Sequence, residues 1–322
     1  MYSRFFIIFL YILPIVYCGC DRTGSQQAPE KKKIRLVASY RPASNLIAAL
    51  KMTQYIVGVP NKGRSMPLLN RLYPAIASLP EVGSKAGVNI ETIIGLHPVL
   101  AVLHPGRMSR KLVQQLHQFG IQSYVAQLES ISDIQEALRE LGQILHIEKK
   151  AKASIQAMEQ ILRLAKENAV KQNQRSVYFA SSRSIFTTQS NSMLQHEMII
   201  RANAHDVVST KKGGWINVSL EQILNWNPDI IIISGYARYS VQSILQDTRF
   251  QSLKAVKTKH VYRMPEKKIV VWDFPGPDSV LGILWLARIC YPEKYKKMDW
   301  KQVKENYYRK VYGISYQDMV GD

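Results

Sequence analysis

The sequence predicts an α/β protein whose two halves each carry the same helix–strand unit. Three observations lead there. A stretch of sixteen residues occurs twice, Asn89–His104 and Ser219–Ser234, at a constant offset of 130 positions. Inside each copy the apolar residues change from helical spacing to a continuous run at a proline, Pro98 or Pro228. Between the copies, from Ile131 to about Lys171, runs the longest helical pattern of the chain, which makes it the connection between two lobes.

Each repeated unit follows from its residues. Asn89 and Ser219 are N-cap types, and Ser219 with Gln222 spells a capping box. Ile90, Ile93 and Ile94 recur at helical spacing, as do Leu220, Ile223 and Leu224, so each helix buries one stripe. Proline cannot continue a helix, so Pro98 and Pro228 end it. The runs Val99–Leu103 and Ile230–Ile233 are short and continuously apolar, as in a parallel strand covered by helices on both faces. Glu91 and Glu221 hold the second position of each helix, about 100° round from the leading apolar residue, and face solvent. Each acid complements its helix N-terminus. Their matched placement allows a second reading, a pair of docking carboxylates on one surface.

The chain opens with Met1-Tyr-Ser-Arg, an apolar run Phe5–Tyr17 and then Cys18-Gly-Cys20, the layout of a bacterial signal peptide. The run is too short for a comfortable membrane span. Cys20, preceded by Gly19, resembles the lipid-modified cysteine of a lipoprotein; simple secretion by cleavage nearby is the other reading. Residues 1–20 are assigned to a lipoprotein signal peptide and the polar residues 21–33 to a flexible tether. Residues 34–130 form the N-terminal α/β lobe, 131–172 a helical linker and 173–322 the C-terminal α/β lobe.

In the first lobe a strand is expected over Ile34–Ser39, ending in Tyr40-Arg-Pro42, then a helix Ala43–Lys51 and a strand Tyr55–Val59. Residues 60–88 read as a long Gly-, Pro- and Ser-rich connection into the first repeat, whose strand ends at His104-Pro-Gly106. The linker shows two apolar stripes with a break between Leu145 and Ala151, compatible with one helix or two. The second lobe repeats the plan with a strand Ser176–Ala180 ending in Ser181-Ser-Arg183 and a helix Glu197–Ala204. The second repeat then ends in Ser234-Gly-Tyr-Ala-Arg238, and a strand Val261–Met264 follows. Trp272 lies in an extended loop, and the tail Val303–Tyr312 is a helix packed on the second lobe.

Composition narrows the function. Lysine and arginine exceed aspartate and glutamate by 43 to 24, for a formal charge of +19. That balance raises nucleic-acid binding, but an exported protein meets anionic headgroups and solutes instead, so no nucleic-acid partner is expected. Of three cysteines only Cys290 falls in the folded part, within an apolar helix, which excludes a disulfide framework or thiolate metal site within one mature chain. The sequence carries no His-Glu-x-x-His helix, no Gly-x-Ser-x-Gly elbow and no phosphate loop ending in Gly-Lys-Ser/Thr, so it is not read as an enzyme. A lipid-anchored periplasmic enzyme is the minor alternative.

Ligands of open α/β sheets collect at the carboxyl ends of strands. Such ends supply Tyr40, Arg41, His104, Arg183, Tyr236 and Arg238, and nearby loops add Trp215 and Trp272. Aromatic faces give contact area at low entropy cost, and arginine pairs with oxyanions bidentately, so this set suits a bulky anionic metal chelate. If His104 and Tyr40 or Tyr236 converge, they form candidate axial ligands for haem iron. A bare-metal site is a further alternative, since oxygen and imidazole donors need no cysteine.

The chain resembles the class III substrate-binding proteins of bacterial ABC importers, which carry iron complexes, haem and cobalamin. The resemblance spans about Ile34 to Tyr312. It rests on Pro80-Glu-Val-Gly-Ser, both Glu-containing repeats, Gly213-Gly-Trp, Leu253-Lys-Ala-Val-Lys-Thr-Lys-His-Val-Tyr262 and their order, with Trp272-Asp-Phe-Pro-Gly-Pro, Leu281-Gly-Ile-Leu-Trp-Leu-Ala and Tyr291-Pro-Glu marking a subset. Where the family often has a glycine pair, this chain has Asn203-Ala204. The resemblance implies two Rossmann-like lobes joined by a long bridging helix, with small closing motions and a ligand cleft between them. It also implies that Glu91 and Glu221 dock on arginines of a membrane permease, itself driven by an ATPase. The protein is expected to be a monomer in the periplasm or cell envelope, lipid-anchored to the membrane and without a resident cofactor. Its expected cargo is a ferric siderophore, haem or cobalamin; molybdate or tungstate is the alternative within the same class.

Overall fold

The repeated stretch folds the same way twice. The structure, a computed structural model, describes residues 34–60, 66–84, 87–168, 173–210, 213–266 and 268–321. In the first copy the Thr92 N–H donates to the Asn89 side chain at 3.0 Å and starts the helix Ile90–Gly95. In the second, Ser219 and Gln222 exchange side-chain-to-backbone hydrogen bonds of 2.8 and 3.2 Å and start Leu220–Trp226. A left-handed residue stands before each proline, His97 at φ 44° and Asn227 at φ 40°, which is how a helix end turns sharply into the next element. The strands that follow, Leu100–Leu103 and Ile230–Ile233, are buried at every residue.

The two strands belong to separate sheets. One sheet runs Ile56–Gly58, Leu36–Ala38, Leu100–Leu103, Gln122–Val125; the other runs His205–Asp206, Ser176–Ala180, Ile230–Ile233, Val261–Arg263, with every pairing parallel. Counted along the chain within each lobe, both sheets have the order 2-1-3-4. Register aligns Leu36 with Leu100 and Val177 with Ile230. Because side chains alternate along a strand, Leu36, Leu100, Val177 and Ile230 enter one core shared by the lobes. Val37 and Ala101 enter an outer core of the first lobe, and Tyr178 and Ile231 that of the second. Burial on both faces is what the unbroken apolar runs required.

The linker is two helices, Ile131–Ile144 and Glu148–Glu167, with His146 at φ 54° in the turn between them. They pack closely because Gly142 has no side chain: a β-carbon there would lie 2.6 Å from that of Ala151. The second helix joins the lobes. Ser154 donates to the Ala49 carbonyl of the first lobe at 2.6 Å, and Tyr295 of the second donates to the Ala165 carbonyl at 3.1 Å.

The tail differs from expectation. Its helix, Trp300–Tyr312, packs on the linker helix Glu148–Glu167 and on Arg41–Ala49 of the first lobe, not on the second lobe alone. The short helix Tyr316–Val320 continues onto the first lobe, where Arg71 Nε donates to the Asp318 carbonyl at 2.5 Å. The tail is therefore a second tie between the lobes, and its tyrosines Tyr307, Tyr308 and Tyr312 are buried in the joint.

Several elements had no legible pattern. Residues 60–88 contain a helix Pro67–Leu72, a 3-10 turn Pro74–Ser78 and a two-stranded ribbon of Gly83–Ser84 with Gly87–Val88. The helix Ser109–Gln118, the strand Gln122–Val125 and the ribbon of Thr187–Gln189 with Trp215–Asn217 are likewise additions. Asn203, where the resemblance leads one to expect a glycine, takes φ 60°, a left-handed conformation that asparagine tolerates. The proposed signal peptide, tether and Cys20 lie outside the described residues.

Candidate functional site

In an open parallel sheet a crevice forms beyond the carboxyl ends of the strands where the order reverses, because the connections there leave in opposite directions. In each lobe that reversal lies between the first and third strands. The residues at these ends are Ser39-Tyr40-Arg41 and His104 in one lobe, and Ser181-Ser182-Arg183 and Ser234–Arg238 in the other.

The lobes meet through Arg41. Its guanidinium carbon lies 5.7 Å from the ring centroid of Tyr236 and 5.9 Å from that of Phe274, both on the opposite lobe. Those two rings meet edge to face at 5.8 Å, which leaves their faces for a cation. Burial raises the Tyr236 phenol, an effect the Arg41 charge partly offsets. Arg41 opens its helix with Pro42 beside it, so the backbone carrying the guanidinium is stiff.

Tyr40 points inward. It is 5 % exposed, its hydroxyl donates to the Ala126 carbonyl at 2.5 Å, and burial, with Glu129 adding to it, raises its phenol well above the ordinary value. A phenol so committed is a packing group, which corrects its reading as a ligand-contacting or iron-binding residue. The His104 ring meets Tyr40 edge-on at 4.9 Å, and its backbone N–H donates to Ser39 Oγ at 3.1 Å. His104 also lines a 440 Å³ cavity with Arg107, Met108 and Gln115. Among the described residues no group of three or more His, Cys, Asp or Glu is placed to hold a metal ion.

Trp272 is the second correction. It is 1 % exposed and meets Trp300 edge-on at 5.7 Å inside the shared core. The chain turns tightly there, with the Phe274 N–H donating to the Val271 carbonyl at 3.0 Å, and Phe274 rather than Trp272 reaches Arg41. The same loop touches the first lobe again at Gly276, where a β-carbon would sit 3.7 Å from Asn45. Trp215 is 40 % exposed on its ribbon and stacks on Phe179 at 6.4 Å, while Arg183 and Arg238 stand exposed at their strand ends.

Sequence reasoning missed Phe274, Asp273 and Arg263. Asp273 is buried, and burial raises it to about 6 against hydrogen bonds from Ser234 and the Gly235 N–H and the charge of Arg263. Its place between two aromatics in Trp272-Asp-Phe274 was the only signal in the sequence. Glu91 and Glu221 are exposed at equivalent helix positions, and hydrogen bonds from Ser219 and from its own N–H hold the Glu221 carboxyl below its ordinary value. Cys290 is buried, its thiol raised to about 12 by burial, as a core residue.

Comparison with known proteins agrees with this architecture. The chain is 25 % identical over 326 residues to the molybdate-binding protein MolA of Haemophilus influenzae, covering 92 % of each. It is 21 % identical over 269 residues to the high-affinity heme uptake system protein IsdE of Staphylococcus aureus, covering 81 % of this chain and 89 % of that one. In fold it matches a periplasmic solute binding protein from Veillonella parvula with a TM-score of 0.76 at 23 % identity, over 89 % of this chain and 90 % of that one. The family described as periplasmic binding protein matches residues 37–268, most of the described chain. The chain belongs to the periplasmic binding protein family.

Proposed function

We propose that this protein is the substrate-binding component of an ABC importer, and that its cleft takes a small oxyanion of the molybdate or tungstate type. The observation that carries the reading is Arg41, whose guanidinium crosses to within 5.7 Å of the Tyr236 centroid. A planar fork of donors recognises tetrahedral oxygens. A contact that narrow must open before a porphyrin or corrin could enter, and the Tyr40 hydroxyl, bonded to Ala126, offers no phenolate to iron. The similarity to MolA points the same way. In this reading Glu91 and Glu221 dock on the permease, and a lipid on Cys20 keeps the protein at the membrane.

Isothermal titration with sodium molybdate, sodium tungstate, haemin, cobalamin and a ferric siderophore tests the assignment. Molybdate and tungstate are expected to compete for one site. Capture of haem or cobalamin with no molybdate response would overturn the oxyanion reading while leaving the importer reading intact.

A further inference from the structure

The cleft loop that carries Tyr236 is held from behind. Arg263, at the end of the fourth strand of its sheet, donates through Nη1 to the carbonyls of Ser234, Gly235 and Ala237 at 3.4, 3.3 and 3.0 Å, and through Nη2 to that of Tyr239. One guanidinium thus gathers four carbonyls of a six-residue loop, which its planar fork of donors allows and a lysine ammonium does not. From the other side Asp273 Oδ1 accepts from the Gly235 N–H at 3.3 Å, and the Asp273 carbonyl accepts from buried Gln195 at 2.8 Å. Gly235 admits no substitute, since a β-carbon would lie 2.1 Å from Val271 Cγ1 and 2.8 Å from the Met264 carbonyl. The loop bearing Tyr236 and the turn bearing Phe274 are therefore joined at Gly235–Asp273.

We propose that Arg263 and Asp273 are positioning residues of the cleft: without touching the ligand, they hold Tyr236 and Phe274 in the pair that receives Arg41, and so set ligand affinity. This rests on the reading that the cleft around Arg41 binds the ligand. Neither residue reaches the Arg41 contact itself; each acts through backbone atoms of the loop or turn it secures.

The test uses Arg263→Lys, Asp273→Leu and Asp273→Asn in the full chain, with three readouts: sodium molybdate affinity, amide hydrogen exchange of residues 234–239, and melting temperature. Arg263→Lys and Asp273→Leu are expected to weaken molybdate binding about ten-fold and to speed exchange in 234–239. Asp273→Asn, which keeps an acceptor for the Gly235 N–H, restores both. A role confined to stability would lower the melting temperature and speed exchange across the whole sheet, yet leave the affinity of the folded protein unchanged, and that result overturns the proposal. Should Asp273→Leu fail to fold, Arg263→Lys with wild-type affinity and wild-type exchange in 234–239 overturns it equally. If the wild-type protein takes no molybdate, the oxyanion reading fails; wild-type exchange in 234–239 for both Arg263→Lys and Asp273→Leu then overturns the positioning role as well.

Discussion

Arg41 and Tyr236 belong to different lobes, yet the guanidinium carbon of one lies 5.7 Å from the ring centroid of the other. This cation–ring contact joins the two strand-end sets and places a positive charge between them. Removing that charge takes away the ring contact and, in the proposed reading, a charged donor to the anion. Loss of a charge-assisted hydrogen bond costs ~1.5–3 kcal/mol, or about ten- to a hundred-fold in affinity. Arg41→Ala is expected to weaken molybdate binding by that factor, as read by titration calorimetry, with only a small drop in melting temperature from the lost ring contact; wild-type affinity would remove Arg41 from the site.

The paired acids give a prediction that separates binding from delivery. Glu91 and Glu221 are exposed at matched positions, so charges reversed there leave the cleft unaltered. The double variant Glu91→Arg with Glu221→Arg is expected to bind molybdate normally and to abolish uptake in cells. Wild-type docking through exposed ion pairs is also expected to weaken as salt rises. Normal uptake at normal expression would reduce both residues to helix-end acids.

Asp278 is buried against the tail helix, where its carboxylate accepts from the Tyr312 hydroxyl at 2.6 Å, and burial raises it to about 7. An acid whose folded value is raised holds its proton in the folded chain after the unfolded chain has lost it, so stability falls as pH rises. The contribution is full below the ordinary value of 3.8 and lost as pH climbs through about 7. Asp273, raised to about 6 by burial, adds in the same direction at slightly lower pH. Melting temperature is therefore expected to drop between about pH 4 and pH 7, and Asp278→Asn to flatten the upper part of that slope. A slope identical to wild type would mean that Asp278 ionises without cost.

Two helical glycines are expected to respond differently to a methyl, Gly142 at the crossing of the linker helices and Gly95 at the end of Ile90–Gly95. A methyl at Gly142 would meet Ala151 at 2.6 Å, whereas Gly95 has nothing within 4 Å. Gly142→Ala is expected to destabilise by ~1–3 kcal/mol through overpacking, and Gly95→Ala to be neutral or to stabilise by up to ~1 kcal/mol through helix propensity. Chemical denaturation of both variants measures the contrast, and equal effects would show that the helix crossing is loose.

The local and repeated part of the fold is legible in the residues alone. The caps at Asn89 and Ser219, the stops at Pro98 and Pro228 and the buried strands behind them were legible because each depends on residues within one turn or one strand. The doubling of that unit implies two lobes, and Arg41 and Tyr236, which meet across them, both stand just beyond strand ends that the pattern locates. Long-range packing decided which aromatic faces Arg41. Trp272 and Phe274 are two residues apart in a tight turn, and the core position of Trp300 draws the larger ring inward and leaves the smaller one facing Arg41. It also decided the tail, whose tyrosines carry no clean period because Tyr307 and Tyr312 answer to Pro277 and Asp278 rather than to one flat face. Arg263 belongs with them. As a lone basic residue after a short strand it resembles a surface charge, and only the fold of the Ser234–Tyr239 loop over its guanidinium, bringing four carbonyls to one side chain, gives it a role.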